Sequence, residues 1–579
     1  MNMNTKIKVS DYIGEVLYLE GITHAFEVVG GMITHLIDSL HRQERIKLVS
    51  MHHEQAAAFA AEGMARMTGI PGVALATSGP GATNLLTGIG SCYFDSIPAV
   101  FITGQVNRSE QKGNLEIRQL GFQETDIVSM VKPITKAAWQ IRDTNEVPTM
   151  LKRAFDLASS GRPGPVLIDI PMDVQRFKIP VDTSNEIHGE RLDDIDNKVL
   201  RDLISDMKIS RRPLILVGGG INSARAVDVF RKLVNKVKIP VINSLMAVDT
   251  LPYKHPLRVG LIGTYGNRWA NLALGQADFL LVFGSRMDVR QTGSDIDAFR
   301  GNKIIYHVDC EASEINNRVK GCYPIVSDLR SFLNLFLSKL SNRKLPDYSD
   351  WLGKINKLRI LWPDVHELQS ISGINPNIFM HQISKTARKA AAFVVDVGQH
   401  QMWAAQSIEI GAKQRFITTG GMGAMGFALP ASIGVALSMP DQPVVMIAGD
   451  GGFQLNIQEL QTVVHNSLPI KMIVLNNKCY GMVRQFQQSY FEERYPSTYR
   501  GYSAPDFKVI ANAYGIKGVT INNPKDVKDG LKNMWQIPRE PFLLQVIIDT
   551  FTNVFPKIAF GLPITEMEPF AEPIAMEAT

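Results

Sequence analysis

The chain has 579 residues, 45% of them apolar and 20% charged, which is enough for several buried cores and excludes both a disordered protein and a small stapled one. Sixty-one Lys and Arg against 56 Asp and Glu leave a net charge of +5, with no basic run interleaved with aromatics, so nucleic acid is not an expected partner. Four dispersed cysteines, Cys92, Cys310, Cys322 and Cys479, form neither a disulfide framework nor a zinc knuckle, and the N-terminus shows no signal-peptide core; both point to the cytoplasm.

In chain order, an amphipathic helix is predicted at 9–20, a strand at 25–29, a helix at 55–68 and strands at 72–77, 99–104 and 166–170. Helices alternating with short apolar strands predict a parallel sheet. Beyond a polar segment at 182–196, strands at 213–217, 239–243, 279–283 and 304–308 predict a second domain of the same kind. Beyond another at 341–354, a helix at 375–385 and strands at 392–396, 444–448, 471–475 and 542–548 predict a third. The expected fold is α/β, with three doubly wound parallel-sheet domains at 1–181, 190–340 and 365–560 and a weakly structured tail at 561–579. The uncharged run 416–440 is punctuated by Gly420, Gly421, Gly423, Gly426 and Pro430, so buried loop and helix are expected there, and no membrane span.

The most specific chemical signal lies in the third series. Gly449-Asp450-Gly451 follows one apolar strand and Asn476-Asn477 the next, so a carboxylate and an amide oxygen arrive at the C-terminal ends of adjacent parallel strands. With a backbone carbonyl, such hard donors suit Mg²⁺ shared with a diphosphate, and glycines let backbone N–H groups approach phosphate closely.

This constellation resembles the signature of thiamine diphosphate-dependent enzymes, and long strings narrow the likeness to the acetohydroxyacid (acetolactate) synthases. They include Ser78-Gly79-Pro80-Gly81-Ala82-Thr83-Asn84, Gly121-Phe122-Gln123-Glu124, Gly161-Arg162-Pro163-Gly164-Pro165-Val166 and Val397-Gly398-Gln399-His400-Gln401-Met402-Trp403. The resemblance implies a pyrimidine-binding first domain, a central FAD-type domain and a diphosphate-binding third. It implies Mg²⁺ on Asp450, Asn477 and the Cys479 carbonyl. Glu54 is implied to activate the cofactor, Gln123 to line the active-site wall and Met425 to wedge between the cofactor rings. Further cofactor contacts are implied at Gly398, Gln399, His400, Gly423, Gly449, Gly451, Gly452 and Met482. For His52 and His53, beside Glu54, core or capping roles stand level with functional ones.

The middle domain resembles the family's FAD domain, implying contacts from Gly220, Gly263, Gly266, Arg286, Asp288, Arg290 and Asp309, with Arg162 from the first domain, and a structural role for FAD. It departs from the family at Thr264-Tyr265, in place of Met-His, and at Asp288-Val289, in place of two aspartates. In the substrate pocket Met172 replaces a usual Lys and Phe486 a usual Trp. The implied activity is decarboxylation of pyruvate and carboligation to a second 2-ketoacid, giving 2-acetolactate, as in branched-chain amino acid biosynthesis. The implied assembly is a homodimer or homotetramer with the active site at the dimer interface and a small regulatory subunit. The departures leave another carbonyl acceptor open, such as a keto-sugar nucleotide, and a non-catalytic scaffold is the alternative of another class.

Overall fold

The computed structural model describes residues 6–180, 195–341 and 343–574. Most of the polar segment at 182–196 and the last five residues of the tail therefore lie outside the described residues. Three six-stranded parallel sheets flanked by helices carry the chain, as the α/β pattern predicts.

The first sheet is built from β1 (His24–Val28), β2 (Lys47–Ser50), β3 (Gly72–Ala76), β4 (Ala99–Gln105), β5 (Ala137–Gln140) and β6 (Pro165–Pro171), in the order β2-β1-β3-β4-β6-β5. The second holds β7 (Pro213–Val217), β8 (Val241–Asn243), β9 (Arg258–Leu261), β10 (Phe279–Phe283), β11 (Ile304–Asp309) and β12 (Tyr323–Val326), in the order β9-β8-β7-β10-β11-β12. The third holds β13 (Ala392–Val395), β14 (Arg415–Ile417), β15 (Val444–Gly449), β16 (Ile470–Asn476), β17 (Gly518–Ile521) and β18 (Phe542–Ile547), in the order β14-β13-β15-β16-β18-β17. The first and third sheets share one topology. The second has the strand order of dinucleotide-binding folds.

By compactness the chain forms two units: Met1–Glu190 with Thr419–Asp441 and Leu455–Ile470, and Arg191–Thr418 with Gln442–Gln454 and Lys471–Thr579. The first unit is held by α1 (Glu54–Thr68) against Ala428–Ser438, a pairing that sequence distance hides. Glycines make it possible. A Cβ on Gly63 would sit 2.2 Å from the Ala431 carbonyl oxygen, and one on Gly434 1.9 Å from that of Ala60, so the two backbones touch where side chains would keep them apart. Phe59 and Phe427 close the contact edge to face at 5.4 Å.

One expectation is corrected, and one helix is added to those predicted. The tail is structured through residue 574: Lys557–Ile558 pairs antiparallel with Met567–Glu568, Met567 is buried, and Arg268 donates to the carbonyls of Met567 and Glu568. The helix Ser349–Leu361 begins inside the polar stretch 341–354 and runs past it, anchored by buried Trp351 and Ile355. In both, a few well-placed apolar side chains outweigh a polar average.

Candidate active site

In the third sheet the chain order reverses between β13 and β15, which opens a crevice at their C-terminal ends. Asp396 and Gly398 follow β13 and lead into α2 (Gln399–Ser407); Asp450 opens a short helix directly after β15; Asn477 and Cys479 follow β16 and lead into α3 (Gly481–Tyr490). Lys478 takes a left-handed conformation (φ 55°), and its N–H donates to Asn476 Oδ1 at 3.1 Å. That turn brings the Cys479 carbonyl back to its neighbour's side chain.

Three oxygens converge there. The Asn477 Nδ2 donates to Gln399 Oε1 at 3.1 Å, which turns the Asn477 Oδ1 toward Cys479 O at 2.8 Å and Asp450 Oδ1 at 3.1 Å. Its one donor is a long 3.3 Å contact from the Cys479 N–H. An octahedral Mg²⁺ with bonds of about 2.05 Å separates adjacent oxygens by about 2.9 Å, so the donor set fits this ion in kind and in spacing. Burial pushes the Asp450 carboxyl up to about 6, against bonds from Tyr502 and nearby backbone N–H groups that favour its anion; a bound cation would favour the anion further. Among the described residues no cluster of three His, Cys, Asp or Glu side chains could hold a metal, as a carboxylate-amide-carbonyl seat requires none.

The surroundings suit a diphosphate. A Cβ on Gly452 would lie 2.7 Å from Asp396 Oδ1, and one on Gly481 2.0 Å from Gln399 Oε1, so a side chain at either position would displace those polar groups. Beside Gly449 the buried His400 is pushed down to about 3 by desolvation, and its Nε2 has no hydrogen-bond partner among the described residues. A phosphate bound beside this nitrogen would favour the protonated ring, whose Nε2–H could then donate to it. Gly451, Met482 and Phe486 lie on the same segments; the ring of Phe486, 40% exposed, sits 4.8 Å from that of Tyr490.

In the first unit, Glu54 is the first residue of α1 and is 8% exposed. Asn84 Nδ2 donates to its Oε2 at 2.8 Å. His53 caps the helix by accepting the Gln55 N–H, whereas the His52 ring meets Thr462 Oγ1 at 3.1 Å, so neither competes for the Glu54 role. Gln123 adopts a left-handed conformation (φ 67°), uncommon outside glycine, and packs on Gly79. The loop with Gly423 and half-buried Met425 is tied at both ends: Asp95, itself bound to Arg66, accepts the N–H groups of Gly420 and Gly421, and Asn456 Nδ2 bridges Gly426 O and Gln55 Oε1. Met172 begins a short helix, half-buried, and Arg162 donates to Ser96 Oγ.

The middle-domain residues gather at the C-terminal edge of the second sheet. A Cβ on Gly220 would meet the Gly284 backbone at 2.7 Å, and one on Gly263 the Arg290 carbonyl at 2.2 Å; the Gly266 N–H donates to Gly263 O. Asp288 caps the turn Val289–Thr292 and lies 3.7 Å from Arg286, and Asp309 ends β11 by accepting the Glu311 N–H. These glycines and the strand order fit a dinucleotide. Sequence reasoning misses Tyr502, Asp95 and Asn456, which sit outside any motif, and assigns no role to Gln485 or Asn84, although Gln485 directly precedes Phe486 and Asn84 ends a recognised string.

Comparison with known proteins agrees. The N-terminal TPP binding domain of thiamine pyrophosphate enzymes matches residues 7–130, their central domain 200–336 and their C-terminal TPP binding domain 396–546. The chain is 39% identical to the acetolactate synthase large subunit of Lactococcus lactis over 94% of this chain and 93% of that protein. It is 35% identical to acetolactate synthase 2, chloroplastic, of Nicotiana tabacum over 96% and 84%, and 35% identical to the probable acetolactate synthase large subunit of Methanocaldococcus jannaschii over 99% and 96%. The chain therefore belongs to the thiamine pyrophosphate enzymes, within the family of acetolactate synthase large subunits.

Proposed function

We propose that the chain is the catalytic subunit of an acetolactate synthase, joining the two-carbon unit of one pyruvate to a second 2-ketoacid with loss of CO₂. The observation that carries this reading is the convergence of Asp450 Oδ1, Asn477 Oδ1 and Cys479 O. Thiamine diphosphate, when bound, supplies a thiazolium carbon as nucleophile and an electron sink for decarboxylation. Asp450, Asn477 and the Cys479 carbonyl hold its Mg²⁺; Gly398, Gly449, Gly451, Gly452 and His400 face the diphosphate. Glu54 holds a carboxylate at the cofactor's pyrimidine and moves a proton there, with Asn84 fixing its outer oxygen. Met425 shapes the cofactor's conformation, Gln123 lines the reaction space, and Met172 and Phe486 bound the acceptor.

Several further roles go with this reading. FAD occupies the middle domain as a structural group, on Gly220, Gly263, Gly266, Arg286, Asp288, Arg290 and Asp309 with Arg162. The chain works as a homo-oligomer whose active site is completed between copies, which the exposed apolar residues Leu115, Leu120 and Phe122, the last 78% exposed, support. The relatives' name of large subunit supports a small partner subunit. A cytoplasmic location is part of the same reading and is supported by the four dispersed cysteines; among the described residues no helix is long and apolar enough to cross a membrane.

Incubation with pyruvate, thiamine diphosphate and Mg²⁺, followed by mass spectrometry, should give 2-acetolactate and CO₂. Consumption of pyruvate only beside a bulkier carbonyl compound would assign a different acceptor, and no consumption with any acceptor would favour a scaffold.

A further inference from the structure

The two side chains read as metal ligands are each held from behind. Asp450 uses its oxygens differently: Oδ2 accepts the Tyr502 hydroxyl at 2.9 Å, and only Oδ1 faces the converging oxygens. Tyr502 is placed by Gln454, whose Nε2 donates to its oxygen at 3.3 Å, and by the Tyr480 ring at 4.5 Å. One oxygen engaged elsewhere leaves a monodentate carboxylate, which suits the strict octahedron of Mg²⁺.

Asn477 poses a sharper problem. Turned over, its amide would donate to both Cys479 O and Asp450 Oδ1 and close the seat with two hydrogen bonds of its own. Gln399 opposes that, because its Oε1 would then face an oxygen at 3.1 Å. Gln399 cannot turn with it: its Nε2 donates to Thr552 O and Gln485 Oε1, both at 3.1 Å. Gln485 cannot turn either, since its Oε1 accepts the Val554 N–H and its Nε2 donates to the Val554 carbonyl, both at 2.9 Å. A backbone residue has fixed polarity, so Val554 dictates the direction of the whole chain Val554–Gln485–Gln399–Asn477.

On the metal reading above, we propose that Tyr502 and the Gln485–Gln399 amide pair are positioning residues that decide which oxygens of Asp450 and Asn477 face the cation. The test is Mn²⁺ binding to the full chain with thiamine diphosphate present, followed by the electron paramagnetic resonance signal of free Mn²⁺. Tyr502→Phe and Gln485→Met should each raise the Mn²⁺ dissociation constant by about 10- to 100-fold, the scale for losing an outer-shell partner. Melting temperature should stay near wild type, and saturating Mg²⁺ should restore kcat, a separation that general loosening of the fold would not produce. Tight wild-type binding with both variants within twofold of it would overturn this inference and leave the metal site standing. A wild-type protein that takes up no Mn²⁺ would overturn both.

Discussion

Asp450 is the one anionic side chain among the three converging oxygens, so its removal leaves the cation only neutral donors. Asp450→Ala should lose metal and diphosphate affinity together while the fold survives, and tryptophan fluorescence titration with thiamine diphosphate checks this; unchanged affinity would refute the assignment. Glu54 tests a different function. A glutamine there can still accept the Asn84 amide that now bonds Oε2 at 2.8 Å, so packing is kept and only the carboxylate is lost. Glu54→Gln should retain the cofactor and slow turnover by about 10² or more. Deuterium exchange at the thiazolium carbon should slow in parallel, and a wild-type exchange rate would remove Glu54 from the activation step.

Among the strands, β6 carries a titratable group in the sheet interior. Asp169 pairs in register with Thr103 of β4 and Gln140 of β5; it accepts Thr103 Oγ1 on Oδ1, and the Nε2 atoms of Gln105 and Gln140 on Oδ2. Burial raises its carboxyl from 3.8 to about 6 despite these three donors. The folded state thus binds the proton more tightly than the unfolded state, and stability falls as pH rises from 3.8 to about 6. Asp169→Asn removes the charge yet keeps the pattern, because its Nδ2 can donate to the rotatable Thr103 hydroxyl. It should raise stability by about 2 to 3 kcal/mol at pH 8 and by little at pH 4, a difference readable from thermal midpoints at the two pH values. A variant less stable than wild type at pH 8 would show that the ionised network is worth more than its desolvation.

At the scale of the whole molecule, the second sheet has the order β9-β8-β7-β10-β11-β12, with Gly218, Gly219 and Gly220 after β7 and Gly284 after β10 on either side of the reversal. The purified protein should therefore be yellow, carrying FAD that stays oxidised through turnover; a colourless, fully active preparation unaffected by added FAD would leave this domain a structural spacer. The proposed acceptor pocket gives a second global readout. Phe486 is smaller than Trp and has no indole N–H, and contacts of methylene scale are worth about 1 to 3 kcal/mol. Competition between pyruvate and 2-ketobutyrate should show little preference, and Phe486→Trp should gain one. A strong native preference for 2-ketobutyrate would place specificity elsewhere.

The sequence by itself determines the central four strands of each six-stranded sheet, and none of their six edge strands is legible in it. Pro213–Val217 and Phe279–Phe283 are buried along their whole length, so each reads as an apolar run. At the edges Ala137–Gln140 has no fully buried residue and Tyr323–Val326 has one, while buried Arg258–Leu261 hides behind an arginine and a glycine. The metal motif is legible for a related reason: a strand, a turn and a helix start are contiguous, so local order alone places Asp450 and Asn477 at neighbouring strand ends. What holds those proposed ligands is not contiguous. Tyr502, Gln485 and Val554 reach the site only through tertiary folding, as Asp95 and Asn456 reach the Met425 loop, and none carries a periodicity or spacing that sequence could register. Composition and pattern report which surfaces leave water; the direction of a hydrogen-bonded chain is decided only when distant backbone groups of fixed polarity are brought against it.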